Sequence, residues 1–227
     1  MKKTISIFFI IILSVFSFCD FDKGIDFYKN ADYENSIIEF EKVNIKTDNI
    51  YYNIGNAHFR LGNTTKALKN YINAFYKNPG MKDNLKNIKF IDNTFNPIIS
   101  YLFPFNMDIL FILLYLSILN VIVSLYFKNY MLQNKKVLLY IGNIIAFTLI
   151  IYCFSILIIH SNLNIAISNS DIKGYSSPSD KGKGIAQFSV NTILYIEEYG
   201  TNYLKVKDSS GVSGWVNKDK VVIVENN

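Results

Sequence analysis

The chain has 227 residues, half of them apolar and 15% aromatic, and its mean hydropathy is positive, which is more apolar than an average soluble domain of this length. Lys and Arg outnumber Asp and Glu by 23 to 18, but the positive charges are scattered with no basic run or stripe, so nucleic acid is excluded as an expected partner. Cys19 and Cys153 lie within or beside separate apolar runs, which leaves no disulfide framework and no zinc or redox spacing.

At the N-terminus, Lys2 and Lys3 precede an apolar stretch from Ile5 to Phe18, with Ser14 and Ser17 near its end. This is the shape of a signal peptide or N-terminal anchor over residues 1–19. Val15 and Ser17 offer a small-residue cleavage pattern, and Cys19 offers lipid attachment as the alternative. Phe18 weighs against lipidation, because that processing prefers a small residue before the cysteine.

Residues 24–93 carry helical periodicity and an internal repeat, which predicts a helical domain over 20–95. The stretch Tyr51–Gly62 (YYNIGNAHFRLG), followed by Asn63–Pro79 (NTTKALKNYINAFYKNP), resembles a complete tetratricopeptide repeat. Gly55 and Ala57 are small where the first helix meets the second, and Gly62 ends that helix in a tight turn. Ala67 and Ala74 admit close packing, while Tyr51, Ile54, Leu61, Leu68 and Tyr71 fill the seam, where His58 is also a packing residue; Pro79 stops the second helix. Gly24–Val43 looks like a degenerate copy, with Ser36 in place of the usual alanine and Phe40 and Val43 continuing the seam. Met81–Asp92 reads as a polar-faced capping helix that buries Leu85, Ile88 and Ile91. Such repeats bind peptides or partner proteins in a concave groove, and the resemblance places Tyr52, Asn56, Phe59 and Arg60 there. The Asn and Arg pair suits a carboxylate or a peptide carbonyl; the alternative is that they are ordinary solvated residues of a repeat helix.

Two further apolar runs are long enough to span a bilayer. Ile109–Phe127 carries no charge, and Ile98–Met107 extends it, giving an expected transmembrane helix over 98–127 with Asp108 at the water boundary, pairing with a partner helix being the alternative. Val137–Ile159 is the second, at 137–159. The intervening segment 128–136 holds three lysines and no acid, which places it in the cytoplasm and both flanking domains on the other side.

Beyond residue 165 the composition shifts to Ser, Gly, Asp and Lys, with short apolar pieces at Ala186–Val190, Ile193–Glu197, Tyr203–Val206, Gly214–Val216 and Val221–Val224. This spacing predicts a small all-β barrel over 165–227. Asp171–Ser179 (DIKGYSSPS), Ile193–Lys207 (ILYIEEYGTNYLKVK) and Ser213–Asp219 (SGWVNKD) together resemble a bacterial SH3-like domain, the Gly-Trp-Val element being the most specific. Gly174 departs from the family, which usually has a larger residue there. Domains of this kind commonly bind cell-wall peptides or protein segments through aromatics, and the candidates are Tyr175, Tyr199, Tyr203 and Trp215; the alternative is that all four pack the core or rim.

No nucleophile with its base, acid and base pair, metal cluster or phosphate loop is visible, so no cofactor and no enzymatic activity is expected. Glu197 and Glu198, adjacent in a strand, are expected on opposite faces. The fold class read from the sequence is thus a multidomain membrane protein with α-helical tetratricopeptide hairpins, two transmembrane helices and a small all-β SH3-like barrel. That order of parts resembles bacterial Bat (aerotolerance operon) proteins of the BatE type. The resemblance implies a scaffold in the inner (cytoplasmic) membrane, with its repeat and SH3-like domains facing the periplasm or exterior. Its implied partners are other envelope proteins, including von Willebrand A-type Bat proteins; peptidoglycan peptides are the alternative ligand.

Overall fold

The computed structural model describes residues 21–127 and 136–226. The expected signal or anchor at 1–19, with Cys19, lies outside the described residues, as does the expected cytoplasmic loop 128–136 except for Lys136, which begins a helix. Two compact units are present: one built from Met1–Phe75, Lys82–Asn96 and Asn164–Asn227, the other from Tyr76–Met81 and Pro97–Leu163.

The first unit opens with helical hairpins. Helix α1 covers residues 21–29, α2 Tyr33–Lys42, α3 Asp48–Arg60, α4 Thr64–Lys77 and α5 Lys82–Ile91. Asp32 caps α2 by accepting the Asn35 N–H, and Thr47 caps α3 by accepting that of Ile50. Helix α3 ends in a Schellman turn: Asn63 N–H donates to the His58 carbonyl and Gly62 N–H to that of Phe59, with Gly62 at φ 77°. The same pair of bonds ends α1, from Asp32 to Phe27 and from Ala31 to Tyr28, with Ala31 at φ 59°. Seam residues repeat at equal spacing too. A Cβ on Gly24 would fall 2.6 Å from the Phe40 ring, and one on Gly55 2.6 Å from the Tyr71 ring. Ser36 donates its hydroxyl to the Gly24 carbonyl, where the second hairpin has Ala67. Phe40, Ile54, Ala57, Ala67, Leu68 and Ala74 are fully buried; Tyr51 and Leu61 are half-buried.

Helix α5 departs from the expected polar cap. Ile88 is fully buried as anticipated, whereas Leu85 and Ile91 are half-buried and Asn84 is fully buried, its Nδ2 donating to the Tyr71 carbonyl. Phe90 is 78% exposed. Tyr28, Phe59 and Phe90 stand at equal intervals in the sequence, and Gly24 and Gly55 are separated by the same interval, so Phe90 of α5 matches the place of Tyr28 in α1 and Phe59 in α3.

The remainder of this unit is an antiparallel sheet of seven strands: β1 Ile165–Ser168, β2 Ile172–Tyr175, β3 Gly184–Phe188, β4 Ile193–Tyr199, β5 Tyr203–Lys207, β6 Ser213–Asn217 and β7 Val221–Val224, in the order β3-β2-β6-β5-β4-β1-β7. The five expected strands are all present, with β1 and β2 added. Ala166, Ile172, Phe188, Leu194, Leu204, Val206, Val216 and Val221 form one core fed by every strand, edge strands β3 and β7 included, so the sheet curls around it. Gly174 and Gly214 meet back to back, a Cβ on Gly214 falling 2.9 Å from the Gly174 Cα, so the departure at Gly174 is where β2 and β6 approach most closely.

The opposite face of β1 and β4 is also closed, for Ile165, Ile167 and Ile193 are fully buried. The end of the helical layer covers it. Asp92 Oδ2 accepts the buried Ile193 N–H at 2.8 Å, and the Thr65 hydroxyl donates to Asn191 Oδ1 at 2.7 Å. The helical and sheet segments, contiguous with the sequence boundaries 20–95 and 165–227, therefore join in a single unit.

The second unit contains α6 Ile99–Leu102, α7 Met107–Phe127 and α8 Lys136–Ser161. The expected helix over 98–127 is broken: α6 stops at Leu102, Phe103 leaves helical geometry, and Pro104 supplies no N–H to continue the ladder, so the long helix begins only at Met107. Met107–Tyr126 and Leu139–Ser161, at 20 and 23 residues, are long and apolar enough to cross a membrane. They pack together through Leu110, Ala146, Cys153 and Ile156, and the Ser124 hydroxyl donates to Asn143 Oδ1 at 2.6 Å. Most other apolar side chains on both helices are exposed, Tyr115, Leu125 and Ile144 among them. The turn before α5 meets the loop before α7, where a Cβ on Gly80 would fall 2.1 Å from the Pro104 carbonyl oxygen. His160 Nε2 donates to the Tyr76 carbonyl at 2.9 Å, and the Tyr76 hydroxyl donates to that of Leu163 at 3.0 Å.

Candidate functional site

The first helix of each hairpin turns one side toward a common groove of about 400 Å³. Tyr52, Asn56, Phe59 and Arg60 of α3, the four residues selected from the sequence, all line it. Three neighbours complete the walls: Tyr28 from α1, and Asn87 and Phe90 from α5; Tyr71 from α4 closes the floor. None of these four was selected from the sequence. Equal spacing is the signal that finds three of them, since Tyr28 and Phe90 are the repeat equivalents of Phe59, and Asn87 is that of Asn56.

The polar floor is ordered. Asn56 Oδ1 accepts from the Tyr71 hydroxyl at 2.9 Å and from Asn87 Nδ2 at 3.0 Å. Both donors converge on one oxygen, which fixes the amide orientation and leaves the Asn56 Nδ2 donor and the Asn87 Oδ1 acceptor as the amide atoms for a ligand. Burial above all pushes the Tyr71 pKa well above the ordinary tyrosine value, so its hydroxyl stays protonated and keeps donating. Tyr52 and Tyr71 lie 6.1 Å apart between ring centres, and Phe59 meets Phe90 edge to face at 5.8 Å. Arg60 is exposed and is the one charged side chain of the groove; the Tyr28 hydroxyl beside its guanidinium raises its pKa further, so the positive charge is permanent. Aromatic walls, a fixed donor and acceptor pair and a single cation suit an extended peptide with an apolar side chain and a carboxylate or carbonyl.

The candidates in the sheet divide. Tyr175 stands directly opposite Trp215 in the β2–β6 register, and Tyr203 is a diagonal neighbour of Trp215 across β5 and β6. All three are half-buried on the face turned away from Leu204 and Val216. The 176–183 loop folds over them, its Asp180 N–H donating to the Tyr203 hydroxyl at 3.1 Å. Tyr199 is 56% exposed and registers with Leu204, so it is not brought into that group.

Glu197 and Glu198 do not alternate as expected. A bulge between Ile196 and Glu198 places Glu198 opposite Lys205 in the strand register, while Glu197 Oε2 lies 3.7 Å from Lys205 Nζ. His58 lies beside the seam with its Nδ1 buried and unpartnered, and burial lowers its pKa. Among the described residues, no group of three His, Cys, Asp or Glu side chains is placed to hold a metal. Compared with known protein families and with curated proteins, the chain matches no family model and no curated sequence.

Proposed function

We propose that this chain is a membrane-anchored, non-enzymatic scaffold whose helical groove holds an extended segment of a partner protein. The observation that carries this reading is the groove itself: an aromatic ladder of Tyr28, Phe59 and Phe90 beside a locked Asn56–Asn87 pair and the Arg60 cation. Aromatic rings supply contact area at low entropy cost, the amide pair matches one peptide unit, and the guanidinium receives a carboxylate. The hairpins and their Schellman turns support the tetratricopeptide reading, and the curled seven-stranded sheet supports the SH3-like one.

The exposed apolar surfaces of α7 and α8 support lipid around them, because two helices cannot cover one another on all sides. A unit assembled from chain on both sides of that hairpin supports a common side of the membrane for the helical and β segments. In the reading implied by the Bat-type resemblance that side is the periplasm, and the partners are envelope proteins of a stress-tolerance complex, von Willebrand A-type proteins among them.

The test is affinity purification of the full-length protein from gently solubilised membranes, wild type against an Asn56→Ala, Arg60→Ala pair. A set of membrane proteins lost from the variant is expected; an unchanged set overturns the groove reading. A second reading, peptidoglycan-peptide binding, is favoured by the half-buried Tyr175, Tyr203 and Trp215 patch. It predicts that the full-length protein sediments with purified cell wall and that Trp215→Ala does not.

A further inference from the structure

A second cleft, of about 440 Å³, adjoins the groove inside the same unit. Thr94 lies on its helical side; Gln187, Phe188, Val190 and Asp208 lie on its sheet side. Phe90 belongs to both cavities and forms the partition between them.

The charges at the two ends are opposite. Arg60 is the charged member of the groove, and the cleft has two acids, Asp92 and Asp208. Asp92 is engaged: its Oδ1 accepts from the Thr94 N–H and hydroxyl, and its Oδ2 from Ile193. Asp208 differs. Ser210 N–H, the Ser210 hydroxyl and Val212 N–H all converge on its Oδ1, within its own turn, and no salt bridge among the described residues takes its Oδ2. The turn thus holds the carboxylate in place and keeps one oxygen for a cation.

We infer that one extended peptide occupies groove and cleft together: an acidic group at Arg60, an apolar side chain against Phe59 and Phe90, and a Lys or Arg side chain on Asp208. This rests on the peptide-binding reading of the groove and adds the second half of the ligand. Continuity is given by Phe90 and orientation by the opposite charges. Spacing is given by the Asp92–Ile193 and Thr65–Asn191 bonds, which fix one wall against the other before any ligand arrives. Gln187 and Phe188 come from β3, an edge strand paired only with β2, so main-chain groups are on offer to an extended chain as it crosses.

The test selects a phage library of random peptides about 12 residues long, roughly 40 Å when extended, on the full-length protein in detergent micelles. Enriched peptides are then synthesised and titrated by fluorescence anisotropy against wild type, Arg60→Ala and Asp208→Asn. Asp208→Asn keeps the Oδ1 acceptor that its turn uses, so an unchanged melting temperature is its folding control. Enriched peptides are expected to carry an acid and a Lys or Arg at a fixed separation and to lose at least about tenfold in affinity with each variant. Changing the peptide's basic residue to Glu should weaken binding to wild type more than to Asp208→Asn. Loss with Arg60→Ala but not with Asp208→Asn overturns the two-cavity ligand and leaves the groove reading standing. No enrichment, or no loss with either variant, overturns both.

Discussion

Ala31 and Gly62 hold the same place in successive hairpins, both with left-handed backbone and both donating in a Schellman turn, yet only one of them is glycine. An alanine Cβ in that conformation crowds the following carbonyl at a cost of roughly 1–2 kcal/mol. Ala31→Gly is therefore expected to raise the stability of the full-length protein by up to ~1 kcal/mol, after the added freedom of the unfolded chain is offset. A thermal melt in detergent checks it, with a rise of a few degrees expected; Gly62→Ala should shift the melt the other way.

Close packing at Gly55 makes a sharper prediction. A methyl group there would overlap the Tyr71 ring at 2.6 Å, and that ring is held by its bond to Asn56. Gly55→Ala is expected to cost about 1–3 kcal/mol as an overpacked core and to disorder the groove floor, so peptide affinity should fall with stability. Gly142 is the control: a Cβ there meets open space, and Gly142→Ala should be neutral or stabilising by up to ~1 kcal/mol.

Asp92 joins the helical and sheet segments through a buried main-chain N–H. Asp92→Ala leaves the Ile193 N–H without an acceptor, at an expected cost of about 1–3 kcal/mol, whereas Asp92→Asn keeps an oxygen and should cost less. Hydrogen exchange followed by mass spectrometry should show faster exchange across β1 and β4 in the alanine variant, with the β2–β6 pairing unaffected. Equal protection in all three proteins would mean that the carboxylate does not hold the segments together.

Acid should weaken the second hairpin through His58. Its folded pKa is lowered from 6.5 by burial first and by the Lys66 charge second, with Glu41 opposing. The unfolded chain therefore takes up a proton before the folded one does. The contribution is complete above about pH 6.5 and is lost as pH falls from there toward the folded value. Melting temperatures recorded at about pH 7.5 and 5.5 should drop more for wild type than for His58→Gln; parallel drops would remove His58 from the account.

The hairpins were legible because close packing writes itself into residue size: Gly55, Ala57, Ala67 and Ala74 had to be small wherever the helices cross. Half of the groove followed from that. Tyr28, Asn87 and Phe90 did not, because α1 lies in the degenerate copy and α5 has Lys86 where Gly24 and Gly55 stand, which conceals a third equivalent helix behind the look of a cap. The break at Pro104 lies inside a run whose apolar composition continues on both sides of its missing N–H, so composition alone does not show it. The bulge at Glu197 carries no compositional mark at all, since it arises from the register of β4 on β5. The closed outer face of β1 was not legible either, because isoleucine at Ile165 and Ile167 says that something covers it and not what.

Phe75 and Phe95 pack edge to face in a unit whose last strands are encoded beyond both long apolar helices. During synthesis the helical hairpins emerge first, and the Asp92 carboxylate has no Ile193 to receive until the rest of the chain has followed. Folding of this unit is therefore completed late, because the hairpins must keep their half of the interface until β1 and β4 have been made. In the membrane-anchored reading proposed above, an insertion error that left one long helix out of the bilayer would separate the halves, and the Asp92–Ile193 bond would then fail to form.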